Sequence, residues 1–106
     1  MRHHLSIDIE TKSSVDIQKA GMYKYAQSSD FEVLLFAYKW DEAPVELVDL
    51  TEGEQIPEWV RSELTNPNTI KHAYNAAFEW YCLNRAGYKT PLEQWRCTMM
   101  HGLYCG

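Results

Sequence analysis

Leu5-Ser6-Ile7-Asp8-Ile9-Glu10 alternates apolar and polar side chains without a break. A period of two is that of a β-strand with one packed face and one wet face. Leu5, Ile7 and Ile9 therefore point at a core, and Ser6, Asp8 and Glu10 point away from it. Outward from this strand, residues 12–29 are polar and mixed, with Ser14 placed to cap a short helical stretch and Gly21 to break it. Residues 31–40 are aromatic and β-branched, hence a second strand. Residues 41–44 make a tight connection, and residues 45–50 form a third strand, the hairpin partner of the second. Pro57 stands in the first turn of a helix whose apolar stripe is Ile56, Trp59, Val60 and Leu64. Asn66-Pro67-Asn68 ends that helix, and residues 69–74 read as a fourth strand. Asn75 caps a second helix running to about Ala86, with Gly87 as its left-handed stop. Residues 95–98 form a short fifth strand before a helix that begins at Met99. Three strands, a helix, a strand, a helix and a short strand describe a mixed α/β sheet, an antiparallel meander followed by strand–helix–strand crossovers.

The 106-residue chain has room for one domain with a modest core. It is 45% hydrophobic and 24% charged, the composition of an ordinary globular protein. Its longest apolar run, residues 33–38, is too short to cross a bilayer. Asp8 and Glu10 interrupt any signal-peptide core, so no membrane is expected and the cytoplasm is the expected location. The net charge of −5 excludes a simple basic coat for nucleic acid, which works by neutralising phosphates. It does not exclude an enzyme whose site must be acidic to hold cations. Cys82, Cys97 and Cys105 are an odd number without a C-x-x-C pair, which fits buried or free thiols. Cys97, His101 and Cys105 fall four apart and would share a helix face. A structural zinc site needs a fourth ligand, and none is near in sequence, so cysteine as a small apolar residue is the better reading.

The chemistry is carried by carboxylates. Asp8 and Glu10 leave one face of the first strand with Cα atoms roughly 6.6 Å apart. Converging carboxylates suit hard, oxygen-loving cations such as Mg²⁺ or Mn²⁺, although the same residues could be only the wet face of an outer strand. In Asn75-Ala76-Ala77-Phe78-Glu79, the glutamate falls at the end of the first helical turn, beside the strand that precedes it. Ligands of α/β proteins collect at the carboxyl ends of parallel strands, so Glu79 could face Asp8 and Glu10 across that edge. An acid in the first turn also favours the helix dipole with no other role.

Asp8-Ile9-Glu10-Thr11 resembles the first motif of the DEDD exonucleases, and Asn75-x-x-Phe78-Glu79 resembles their second, normally N-x-x-[FY]-D. The wider pattern, with Gly21-Met22-Tyr23-x-Tyr25-Ala26, residues 31–38 and Trp95-Arg96-Cys97-Thr98, is similar to the 3′–5′ exonuclease region of phage or prophage family A DNA polymerases. It covers nearly the whole chain. The resemblance implies a ribonuclease-H-like fold and hydrolysis of the 3′-terminal phosphodiester of DNA by two metal ions, Mg²⁺ or Mn²⁺. It implies that Asp8 bridges both ions, that Glu10 helps hold the one that activates water, and that Glu79 stands for the second-motif Asp with one extra methylene. Thr11, Asn75 and Phe78 match positions around the terminal nucleotide.

The third motif of that family, Y-x-x-x-D or H-x-x-x-x-D, does not occur after Thr98. The expectation is therefore the first part of a proofreading exonuclease domain, inactive by itself, acting on a single-stranded 3′ end in a protein with a downstream polymerase domain. Helices expected after Gly106 would cover one side of the sheet, so self-association is expected too. A non-catalytic module that holds single-stranded nucleic acid on its aromatic side chains, and a stand-alone exonuclease of the same superfamily, are the alternatives.

Overall fold

The alternation at the start of the chain becomes the central strand of the sheet. In a computed structural model describing residues 2–98, strand β1 (His3–Lys12) buries Leu5, Ile7 and Ile9 and exposes His4, Ser6, Asp8 and Glu10. Strand β2 (Glu32–Trp40) runs antiparallel to it, and β3 (Glu46–Asp49) runs antiparallel to β2. On the other side of β1, β4 (Thr69–Ala73) and then β5 (Trp95–Cys97) are parallel. The sheet order is β3-β2-β1-β4-β5, a mixed α/β sheet of the kind the element order implied. His3 and His4 belong to β1 itself, where Asp41 accepts from the His4 backbone N–H at 2.8 Å and pairs with the His3 ring at 2.8 Å.

The register of β1 on β2 shifts between Glu10 and Thr11. Glu10 faces Leu35 and Thr11 faces Val33, so Leu34 is the extra residue of a β-bulge. The irregularity falls on β2, and the two-residue period of β1 continues unbroken through its carboxylates.

Among the described residues four α-helices accompany the sheet: α1 (Ile17–Ala20), α2 (Met22–Gln27), α3 (Glu58–Glu63) and α4 (Ala76–Arg85). The break expected at Gly21 divides α1 from α2, with φ at +87°, a value that suits glycine. Ser14 does not cap α1. Asp16 does, accepting from Gln18 N–H at 2.9 Å, while the Ser14 N–H donates to the Asp30 carboxylate at 3.1 Å. A carboxylate at the right position outcompetes a hydroxyl two residues too early. Pro57 sits one residue before the first turn of α3, at its N-cap. Ile56, Val60 and Leu64 are buried as the stripe requires, but Trp59 is 47% exposed. Gly87 ends α4 at φ +99°, with Gly87 N–H bonded to Asn84 O and Tyr88 N–H to Leu83 O, the two bonds of a Schellman stop.

The helices pack on the sheet face that carries Leu5, Ile7, Ile9, Phe36, Tyr38, Val48, Ala73 and Trp95, and this is where the core lies. Thr90 ties its rim together, donating to Leu64 O at 2.6 Å and accepting from the Trp95 indole at 2.9 Å. The same face holds a group that periodicity does not announce. Lys71 is fully buried, its ammonium bonded to Asn66 O at 3.0 Å, Thr69 O at 2.9 Å and the Gln94 side chain. Those three acceptors match its three donors. Burial lowers its pKa to about 8, with the charge of Glu63 working the other way. Among the described residues nothing covers the opposite face, and no helix is long and apolar enough to cross a membrane.

Candidate active site

Asp8 and Glu10 stand on the uncovered face, opposite Ala37 and Leu35 of β2. Asp8, Ser6, Ala37 and Lys39 line a shallow hollow of about 280 Å³ there, and Lys39, the partner of Ser6, brings a positive charge to the same surface. Asp41 N–H donates to His4 O at 2.8 Å, so the even-numbered residues of β1 turn their backbone groups toward β2. The odd-numbered ones turn theirs toward β4. Pairing with β4 runs from His3 to Ser6 and goes no further, because the chain leaves β4 at Ala73 and enters α4. Beyond Ser6 the edge of β1 therefore meets the first turn of α4.

Glu79 fills that place. Its side chain is 6% exposed, and the Ile9 backbone N–H donates to its carboxylate. Burial pushes its pKa up to about 8, and the negative charges of Asp8 and then Glu10 push in the same direction, against the Ile9 hydrogen bond. Glu79 is thus a buried acid with no cationic partner, facing two more carboxylates, and near neutral pH it holds its proton. A hard divalent cation would reverse that, replacing the proton and offsetting all three charges. The donor set is all carboxylate oxygen, which fits Mg²⁺ or Mn²⁺. Among the described residues no three His, Cys, Asp or Glu side chains close around a common point. The three acids feel one another without forming a finished cage.

Asn75 occupies the N-cap position of α4, but its side chain does not cap the helix. Its carbonyl accepts from Phe78 N–H at 3.0 Å and Glu79 N–H at 3.2 Å, the ordinary opening bonds of a helix. The side-chain Oδ1 is buried without a hydrogen-bond partner among the described residues. Thr11 and Phe78 meet through a residue that sequence reasoning did not assign to the site. Tyr25, on α2, shares a hydrogen bond of 2.9 Å with the Thr11 hydroxyl, and its ring lies 6.2 Å from that of Phe78. The signal was present in Tyr23-x-Tyr25, where the period of α2 turns Tyr25 toward β1 while Tyr23 packs edge-on against Tyr81 at 4.6 Å. Cys82, one turn beyond Glu79, is a buried free thiol as expected, with its pKa pushed up to about 12 by burial and by the charge of Glu79. Cys97, on β5, has its Sγ 3.0 Å from the Tyr74 carbonyl oxygen. His101 and Cys105 of the zinc reading, and the helix beginning at Met99, lie outside the described residues.

The sequence has a relative among phage replication proteins. Over 103 residues the chain is 50% identical to the DNA polymerase of Bacillus phage SP02. The match takes in 96% of this chain and 16% of the polymerase, so the chain spans about one-sixth of that relative's length. No protein-family model matches the chain, and no solved structure matches it. Asp8, Glu10 and Glu79 are therefore read from their own geometry.

Proposed function

We propose that this chain is the opening portion of a 3′–5′ exonuclease domain in a phage-type DNA polymerase, with a ribonuclease-H-like fold and a two-metal site that removes the 3′-terminal nucleotide of DNA. The observation that carries this reading is Glu79, a buried carboxylate without a cation, beside Asp8 and Glu10 at the carboxyl end of the central strand. Similarity to part of a phage DNA polymerase supports it independently.

In this reading Asp8 and Glu10 hold cations from the strand, and Glu79 gives up its proton to join them from the helix. Bound there, divalent cations would lower the pKa of the attacking water and neutralise charge on the scissile phosphate. Thr11, Tyr25 and Phe78 form a linked shelf next to the acids, apolar enough to seat a terminal sugar and base. The buried Oδ1 of Asn75, beside this shelf, is an acceptor without a partner among the described residues, and a shift of the α4 N-terminus on substrate binding would let a sugar hydroxyl donate to it.

The test belongs in a full-length polymerase carrying this region. Asp8→Ala should abolish excision, and Glu79→Gln should lower it by about a hundredfold or more, as loss of a charged group aimed at the transition state does, while polymerisation continues. Wild-type excision in Glu79→Gln would leave that residue to the helix alone and remove the basis of the reading.

A further inference from the structure

We propose that the corner formed by Tyr38, Trp40, Trp59 and Glu46 binds a cationic side chain, an arginine or lysine presented by a protein partner. Tyr38 and Trp40 leave the covered face of β2 opposite Ile7 and Leu5. They are therefore at the other end of β1 from Glu10, and on the other face from Asp8. Trp59 stands over them from α3, its ring edge-on to Trp40 at 5.5 Å and 87° and to Tyr38 at 5.9 Å and 79°. With Ala43, Pro44 and Glu46 these rings enclose a cavity of about 240 Å³, enough for a guanidinium or ammonium head and part of its stem.

Two observations select the occupant. Trp59 is 47% exposed although it sits in an apolar stripe, so this aromatic group is turned to the outside and is not surplus core. Finally, the one charged side chain among the described residues that line the cavity is an acid: Glu46 lies directly opposite Tyr38 on β3. Ring faces at right angles attract a cation through their quadrupoles, and a carboxylate at the rim completes a cage for one. The same carboxylate repels a phosphate, which argues against a nucleotide stacking here.

The experiment is a titration of the chain with N-acetylarginine amide, followed through the ¹H–¹⁵N signals of the four indoles. Saturable shifts of Trp40 and Trp59, with Trp80 and Trp95 unmoved, are expected. Trp59→Ala and Glu46→Gln, both at exposed positions that leave the core intact, should each weaken binding by roughly two- to fivefold. The proposal is overturned if nothing saturates, or if both variants bind as the wild type does. An equal response to N-acetylleucine amide would make the corner a plain apolar pocket, and an equal response to a deoxynucleoside monophosphate would make it a base-stacking site; either result also overturns it.

Discussion

Glu79→Gln replaces a buried acid with a neutral amide of the same shape, and its effect on stability can be worked out with its sign. In the folded chain, free of metal, the pKa of Glu79 is raised from its ordinary 4.5 to about 8. The folded state therefore keeps a proton that the unfolded state has lost throughout that window. Stability is greatest at or below pH 4.5, falls as pH rises, and levels off above about pH 8. At about 1.4 kcal/mol per pKa unit the full loss is on the order of 5 kcal/mol, a ceiling that local relaxation and entry of water would lower. Even half of it is a large share of the roughly 5–15 kcal/mol that holds a small domain together. The assay is urea unfolding followed by tryptophan fluorescence in chelator-treated buffer, from about pH 5 to about pH 8.5, on wild type and Glu79→Gln. The two proteins should match at the acid end, since Gln mimics protonated Glu and keeps an acceptor for the Ile9 N–H. At the alkaline end the variant should be more stable by several kcal/mol. Parallel profiles across the range would refute the buried, proton-holding Glu79.

Three further outcomes are expected. Mn²⁺ should bind more tightly near pH 8 than near pH 6, because the Glu79 proton must leave, and calorimetry should find that Asp8→Asn binds far more weakly; identical isotherms for the two proteins would reduce Asp8 and Glu10 to a wet strand face. Lys71→Met strands the carbonyls of Asn66 and Thr69 and should destabilise the fold by about 1–3 kcal/mol. It should also erase a rise in stability between about pH 8 and pH 10.5, the window in which the unfolded chain holds the Lys71 proton and the folded chain does not; unchanged urea midpoints would count against both. The uncovered sheet face, with Leu47 60% exposed and neighbouring Val45 66% exposed, should drive self-association of the isolated chain, and a clean monomer in light scattering at high concentration would contradict that.

The strands were legible because alternation in β1 and the aromatic run of β2 are backbone-scale patterns that tertiary packing reinforces. Gly21 and Gly87 were legible because their positive φ values leave few other residues acceptable. Caps were less legible. Asp16 displaces Ser14 at the first cap, and the buried Asn75 side chain leaves α4 without a side-chain cap. Trp59 has the spacing of a core residue, but the helix turns it to the rim, a rotation of a few tens of degrees that periodicity does not resolve. Lys71 reads as a solvent residue because two of its acceptors, Asn66 O and the Gln94 side chain, lie outside its own strand. For the site, Asp8-x-Glu10 and Glu79 were visible as residue types at a spacing. What was not visible is the meeting of Glu79 with Ile9, which depends on where β4 stops pairing, or the bridge that Tyr25 makes from Thr11 to Phe78 across three elements.

The position of β1 in the sheet sets a timetable for synthesis. Of the five described strands β1 is made first and ends at the centre, paired early with β2 but joined on its other edge only by β4, where His3 meets Thr69. While the chain is being extended, the β1-β2-β3 meander can assemble with one edge of its best-patterned strand bare. Such an edge invites pairing with the same segment of another nascent chain. The polar side chains of His4, Ser6, Asp8 and Glu10 along that strand would keep the interval soluble, so the carboxylates would serve the polypeptide before its fold is complete.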